Sequence, residues 1–161
     1  MKNVQIREIE PSDHTHIISV VNAWWGGRNM ADMLPKLFFI HFRQTGFVAE
    51  CNGMVIGFLV GFVSQTFDSE AYIHFAGVHP EFRKKGIAAA LYKRFFEVAG
   101  NFGRSVVRCV TSPVNHGSIS FHTRMGFSIE PGTKIIDGIP VAENYDGDKE
   151  DRVLFSKKLN V

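Results

Sequence analysis

Arg83-Lys84-Lys85-Gly86 stands between an apolar run and a helical repeat, and it is the stretch of this chain best suited to chemistry. A helix start carries unpaired backbone N–H groups and the positive end of the macrodipole. Cationic side chains added there, with a glycine that admits a ligand close to the backbone, make a cradle for a phosphate or pyrophosphate. A solvated basic turn ahead of an amphipathic helix is the other reading of the same residues. The flanking elements are legible. Tyr72 to Val78 is apolar or aromatic at most positions and ends at His79-Pro80, as a buried strand closed by proline. Ile87, Leu91, Phe95, Val98 and Phe102 recur at three- and four-residue spacing, which predicts a helix with one packed face.

The other elements follow from similar patterns. Val4 to Ile9 alternates as a half-buried strand, Pro11-Ser12-Asp13 opens a helix running toward Trp24, and a second helix is predicted over Ala31 to Phe42. Between these helices lies Trp24-Trp25-Gly26-Gly27-Arg28, read as a flexible break with two aromatics and a cation. Phe47 to Cys51 and Met54 to Val63 flank Asn52-Gly53, a strong hairpin signal. Gly57 and Gly61 share a face of the second strand, so something packs closely there. Ser105 to Thr111 is β-branched and can lie parallel to the Tyr72 strand through a right-handed crossover. Asn115 is placed to cap a short helix over Ser118 to Met125, which Gly126 ends. Phe127 to Glu130 and Arg152 to Leu159 are final strands, and Pro131 to Asp151 shows no lasting periodicity.

Composition narrows the function classes. With 161 residues, 45% hydrophobic and 21% charged, the chain reads as one domain, residues 1–161, with a filled core. A formal charge of +2 without a groove-length basic stripe argues against nucleic acid. The longest apolar run, Met54 to Val63, is about half the length a membrane span needs. Cys51 and Cys109 lie in strand-like runs with nothing beside them to activate a thiolate. A cytoplasmic chain with reduced thiols is the expectation, with no metal.

Val78-His79-Pro80-Glu81-Phe82-Arg83-Lys84-Lys85-Gly86-Ile87-Ala88 resembles the signature of the GNAT superfamily of acyl-coenzyme A-dependent N-acetyltransferases: Arg or Gln, two residues, Gly, one residue, Gly or Ala. Asn115 to Phe127 resembles the second motif of that family, an Asn followed by a helix that ends in Gly126-Phe127. The resemblance implies an α/β (α+β) fold with a mixed, largely antiparallel central sheet, splayed parallel central strands and about four flanking helices. It implies acetyl-CoA as donor. The pantetheine arm would lie along the main chain of Ala76, Gly77 and Val78, and the pyrophosphate on the N–H groups of Arg83, Lys84, Lys85, Gly86, Ile87 and Ala88. Asn115 and Ser118 match cofactor-contacting positions, and Arg124 is a candidate for the nucleotide phosphate; a helix cap and a surface arginine are their other readings.

The acetyl transfer itself needs proton management. An alkylamine of pKa about 10.4 costs about 4 to 5 kcal/mol to present neutral at pH 7, so a base or water relay is useful. Where the family often has an acidic residue early in the central strand, this chain has Tyr72; Glu70, His74 and His79 are the nearby replacements, and His74 is the candidate base because a neutral imidazole can accept a proton at this pH. His122 stands where the family usually has a tyrosine that protonates the departing thiolate. Trp25, Arg28 and Tyr72 are the candidates for the acceptor wall. The implied activity is direct attack of a small-molecule or peptide amine on the thioester. A non-catalytic acyl-CoA-binding sensor is the alternative. The oligomeric state stays open, a homodimer included.

Overall fold

Two asparagine- or aspartate-glycine pairs and a set of close-packed glycines set much of the architecture. A computed structural model describes residues 3–160. In chain order the elements are β1 (Val4–Glu8), α1 (Pro11–Trp24), α2 (Leu37–His41), β2 (Phe47–Cys51), β3 (Met54–Val63), β4 (Glu70–Val78), α3 (Ile87–Asn101), β5 (Val106–Thr111), α4 (His116–Arg124), β6 (Ser128–Ile129), β7 (Lys134–Ile136), β8 (Ile139–Val141) and β9 (Val153–Lys158). Seven strands form one sheet in the order β1-β2-β3-β4-β5-β9-β6, and β7 and β8 form a separate hairpin. Within the sheet only β4 and β5 pair in parallel. The helices cover opposite faces. Ile87, Leu91, Tyr92 and Phe95 of α3 and Ile119 of α4 join one core cluster, while Ile17, Val21, Trp24, Phe38 and Phe39 of α1 and α2 join the other.

The hairpin predicted at Asn52-Gly53 is present, with positive φ at both turn residues, as a type I′ turn demands. Gly57 and Gly61 do face a close neighbour. A Cβ on Gly57 would lie 3.0 Å from the Ile87 side chain, and one on Gly61 would lie 2.7 Å from the Phe95 ring. The central helix can therefore lie directly on β3.

Three expectations need correction. The predicted helix over Ala31 to Phe42 is broken into a 3-10 turn at Ala31–Met33 and the short α2. Pro35 is the cause, since the residue before a proline is pushed out of the helical region, and Leu34 sits at φ −123°, ψ 65°. Phe102, assigned to the packed face of the central helix, is 42% exposed beyond the end of α3. The segment after Pro131 contains β7 and β8, joined at Asp137-Gly138, where both residues have positive φ. That dipeptide is a type I′ hairpin signal as strong as Asn52-Gly53, and it marks the one hairpin that periodicity did not reveal. Among the described residues no helix is long and apolar enough to cross a membrane.

Candidate active site

The parallel pairing of β4 with β5 covers only Glu70, Tyr72 and the residue between them, opposite Val106 to Arg108. Beyond Tyr72 the two strands part. β4 runs on as far as Val78 paired to β3, and β5 runs on to Thr111 paired to β9. The β5-facing edge of Ile73 to Val78 is thus left open inside the sheet. At the head of this opening stand the basic turn and the start of α3. Gly86 at φ 83° precedes the helix, Lys84 also has positive φ, and the first helical bond runs from Ala90 N–H to the Gly86 carbonyl. The N–H groups ahead of Ala90 have no carbonyl one turn back to donate to. No atom lies within 4 Å of where a Gly86 Cβ would stand, so the glycine is needed for its backbone conformation and leaves the space above it clear. Lys84 and Lys85 are exposed, with Lys85 Nζ 5.3 Å over the Phe82 ring.

Arg83 is placed differently from its neighbours. Its Nε donates to the Val78 carbonyl at 3.2 Å, Nη2 donates to the Trp24 carbonyl, and the guanidinium lies 5.9 Å from the centre of the Trp25 ring. The side chain is folded back across the end of α1. Trp25 in turn rests on Gly77, where a Cβ would come within 2.6 Å of the indole and 2.8 Å of the Phe58 ring. Gly77 is therefore a glycine because aromatic rings cover it on the α1 face. Ala76 and Val78 alternate onto the other face, against the α3 cluster.

A β-bulge separates the two halves of β4. Gly61 pairs with Ile73 and Val60 with Phe75, which leaves His74 as the extra residue. His74 and Phe75 consequently both face α1 and α2: His74 stacks on Phe38 at 4.6 Å, and Phe75 meets Trp25 at 5.3 Å. His74 Nε2 lies 2.6 Å from the Met33 carbonyl. A carbonyl only accepts, so Nε2 carries the proton and Nδ1 is the acceptor nitrogen of the neutral ring. Tyr72 stacks on Phe62 at 5.4 Å on the same face; burial raises the pKa of its phenol, and Tyr145, Asp146 and Arg152 lie near enough to act on it.

The structure places His122 in the core. It is 5% exposed, stacks on Phe155 at 4.7 Å, and has both ring nitrogens occupied. Nδ1 lies 2.7 Å from the Ser118 carbonyl and so donates to it, and Nε2 accepts from the Tyr92 hydroxyl at 2.9 Å. Burial lowers the imidazole's pKa, partly opposed by the Ser118 bond. In the neutral ring this leaves no proton for a leaving group in the opening. Tyr92, itself buried with its phenol pKa raised by burial, is a partner that sequence reasoning missed; thirty residues of chain separate the two rings. Asn115 caps α4 by accepting from Ser118 N–H at 3.1 Å, and the Ser118 hydroxyl lies 3.2 Å from His122 Nδ1. Arg124 is exposed and donates to the Ser120 hydroxyl at 2.7 Å.

The acceptor-side segments are better ordered than their composition suggests. Asn22 accepts from Met30 and Ala31 N–H at 2.8 and 2.9 Å, and the Asn22 carbonyl accepts from Gly27. The Gly26-Gly27 break is therefore a clamped loop, on which Trp25 is half-buried and Arg28 exposed. Arg152 pairs with Asp146 at 2.7 Å and Glu150 at 3.0 Å, anchoring a connection in which Glu143, Asp146, Asp148, Glu150 and Asp151 outnumber Lys149.

The sequence profile of the Acetyltransferase (GNAT) family matches residues 4–127. An uncharacterised N-acetyltransferase from Methanocaldococcus jannaschii is 38% identical over 85 residues, which are 50% of this chain and 38% of that relative, so the match spans well under half of the relative's length. Among solved structures, Ard1 from Thermoplasma volcanium superposes with a TM-score of 0.78 at 22% identity, covering 98% of this chain and 99% of that one. The protein yncA from Salmonella typhimurium, solved with its cofactor acetyl-CoA, superposes at 0.69 with 22% identity, covering 99% and 95%. These two likenesses concern the fold.

Proposed function

The chain belongs to the acetyltransferase (GNAT) family, and from that premise we propose that it moves the acetyl group of acetyl-CoA to a primary amine by direct attack. The observation that carries the reading is the open β4 edge leading to the start of α3. An amide-rich arm can pair with Ile73 to Val78 as an added strand, and the diphosphate that follows it meets the unpaired N–H groups and cations at Gly86. That yncA, with the same fold, was solved with acetyl-CoA supports the choice of donor. Ala76, Gly77 and Val78 act through their main chain. Lys84, Lys85 and the N–H groups of Gly86, Ile87 and Ala88 hold the phosphates, and Arg83, whose own N–H is donated to the Pro80 carbonyl, shapes the turn. Asn115 and Ser118 line the α4 side, and Arg124 reaches the nucleotide end.

The amine approaches from the α1 face, between Trp25 and Arg28 on one side and Tyr72 with the acidic connection on the other. Asp146 and Glu150 share the one Arg152 cation, so with Asp148 beside them the connection keeps a net negative charge that favours arrival of a cationic amine. His74 Nδ1 then accepts the ammonium proton, with the Met33 carbonyl holding the tautomer. The nitrogen attacks the thioester carbonyl, the tetrahedral centre collapses, and the C–S bond breaks. A coenzyme thiol of pKa near 8.5 leaves as thiolate without much help, so we assign protonation of the sulfur to water and none to His122. Residues 1–161 form one domain in this reading, since both core clusters pack on the same sheet. We place the chain in the cytoplasm: Cys51 and Cys109 are both free thiols, which suits a reducing compartment.

Acetyl-CoA-dependent thiol release with a panel of polyamines, amino acids and peptides tests the function. Turnover with at least one amine, lost in His74→Ala, is the expected result. Binding of acetyl-CoA with no turnover on any amine would instead establish a sensor.

A further inference from the structure

Arg83 belongs by position to the cofactor turn, yet its guanidinium serves a different element. Helix α1 has no basic residue in its last turn. Its terminal carbonyls at Asn22 and Ala23 are satisfied by N–H groups of Trp25, Gly26 and Gly27, while the Trp24 carbonyl receives Arg83 Nη2. A cation at this end is also favoured by the helix dipole. The same guanidinium donates through Nε to the Val78 carbonyl, the last residue of β4, and covers the Trp25 ring that sits on Gly77. One planar group thus fastens the phosphate turn, the end of the open strand and the tryptophan of the acceptor wall. A lysine cannot reproduce this, because it offers a single point charge with no planar fork.

We propose that Arg83 is a positioning residue that couples the two substrate sites: occupation of the turn by coenzyme A fixes the place of Trp25 through the Arg83 side chain. The inference rests on the turn being the coenzyme A site, and adds that the donor site sets the acceptor wall. Reciprocity then requires an acceptor held by Trp25 to raise affinity for coenzyme A by the same factor.

Trp24 and Trp25 are the chain's only tryptophans, so Trp24→Phe leaves Trp25 as the single indole reporter. Acrylamide quenching of Trp25 in that variant is measured with and without saturating coenzyme A, and coenzyme A affinity is measured separately by calorimetry. Coenzyme A is expected to cut the quenching constant by about half or more. Adding Arg83→Ala is expected to remove that response while coenzyme A affinity falls less than about tenfold, within the usual range of coupling between sites. Arg83→Lys should give a partial response, and it carries the comparison by itself if the alanine variant does not fold. A merely structural Arg83 would lower the melting temperature and leave the coenzyme A response intact; that result overturns the proposal, as does an unresponsive Trp25 in the parent. Failure of coenzyme A to bind the wild-type chain is a different outcome, which overturns the cofactor reading as well.

Discussion

Gly77→Ala adds one methyl group at the place where the Trp25 and Phe58 rings close over β4. The new Cβ would lie 2.6 and 2.9 Å from two atoms of the indole and 2.8 Å from Phe58, all inside any normal carbon contact. Phe58 is fully buried, stacked on Trp24 and held edge-on by Phe75, so it cannot yield. Trp25 must move instead, away from Phe75 and from under Arg83. Overpacking of this kind costs about 1–3 kcal/mol. For a domain of this size that corresponds to a fall in Tm of roughly 2–4 °C per kcal/mol. Trp25→Leu would relieve the clash, so the double variant should recover more than half of the loss, a coupling readable in a double-mutant cycle by urea unfolding. Coenzyme A affinity should fall no further than in Arg83→Ala, by less than about tenfold, because only the link through Arg83 is disturbed. If Gly77→Ala unfolds within about 0.5 kcal/mol of the wild type and keeps its Trp25 quenching, the seating of Trp25 on Gly77 is not what makes this residue a glycine.

Gly86→Ala should cost about 1 kcal/mol from the positive φ alone, and Gly86→Glu should also abolish the thermal stabilisation given by acetyl-CoA; a Glu variant that keeps wild-type affinity by calorimetry refutes the phosphate cradle. His122→Phe strands the buried Tyr92 hydroxyl and should destabilise by about 1–3 kcal/mol, with turnover per folded molecule unchanged in the same thiol-release assay. The pH dependence follows from the lowered pKa of His122: the unfolded ring binds a proton below about 6.5 and the folded ring resists it, so stability is full above that pH and is lost as pH falls below it. Urea unfolding at pH 7.5 and 5 should show a larger loss in the wild type than in His122→Phe. Asp13 is buried, which pushes its carboxyl up, but two bonds from Arg7 at 2.9 Å and one from Glu10 N–H outweigh this and hold it below the usual range. Asp13→Asn should therefore cost about 2 kcal/mol by calorimetric or urea unfolding, less than a fully buried pair because Arg7 is part exposed.

The elements that positioned the site were legible wherever one local cause dominated. Asn52-Gly53 gave its hairpin, the spacing of Ile87, Leu91 and Phe95 gave the central helix, and Gly57 and Gly61 marked a face of close packing, which that helix fills. Local causes also hid things. Pro35 breaks a helix whose apolar spacing still looks continuous, and Asp137-Gly138 forms a hairpin too short for alternation to register. The bulge at His74 left no mark at all, because an inserted residue shows only against a partner strand: counting on from Tyr72 and counting back from Ala76 put His74 on opposite faces. His122 was beyond reach for a related reason. Its partners Tyr92 and Phe155 come from distant stretches, and nothing near position 122 announces that the imidazole's hydrogen bonds are already taken.

The three-residue contact between β4 and β5 has a mechanical consequence. Ladder bonds tie β1 to β4 into one plate and β5, β9 and β6 into another, and across the seam the plates share only the Glu70 to Tyr72 rungs. Below the seam, Ile56 and Leu59 of one plate and Val107 and Phe155 of the other share a single core cluster with Leu91, Tyr92 and Phe95 of α3. The domain is thus a book whose two boards meet at a short seam and share one core cluster. In deuterium exchange the amides on the inner margin of β4 beyond Tyr72 should label quickly in the free chain, out of step with the same strand's amides bonded to β3, and slow to match them when a ligand closes the pages.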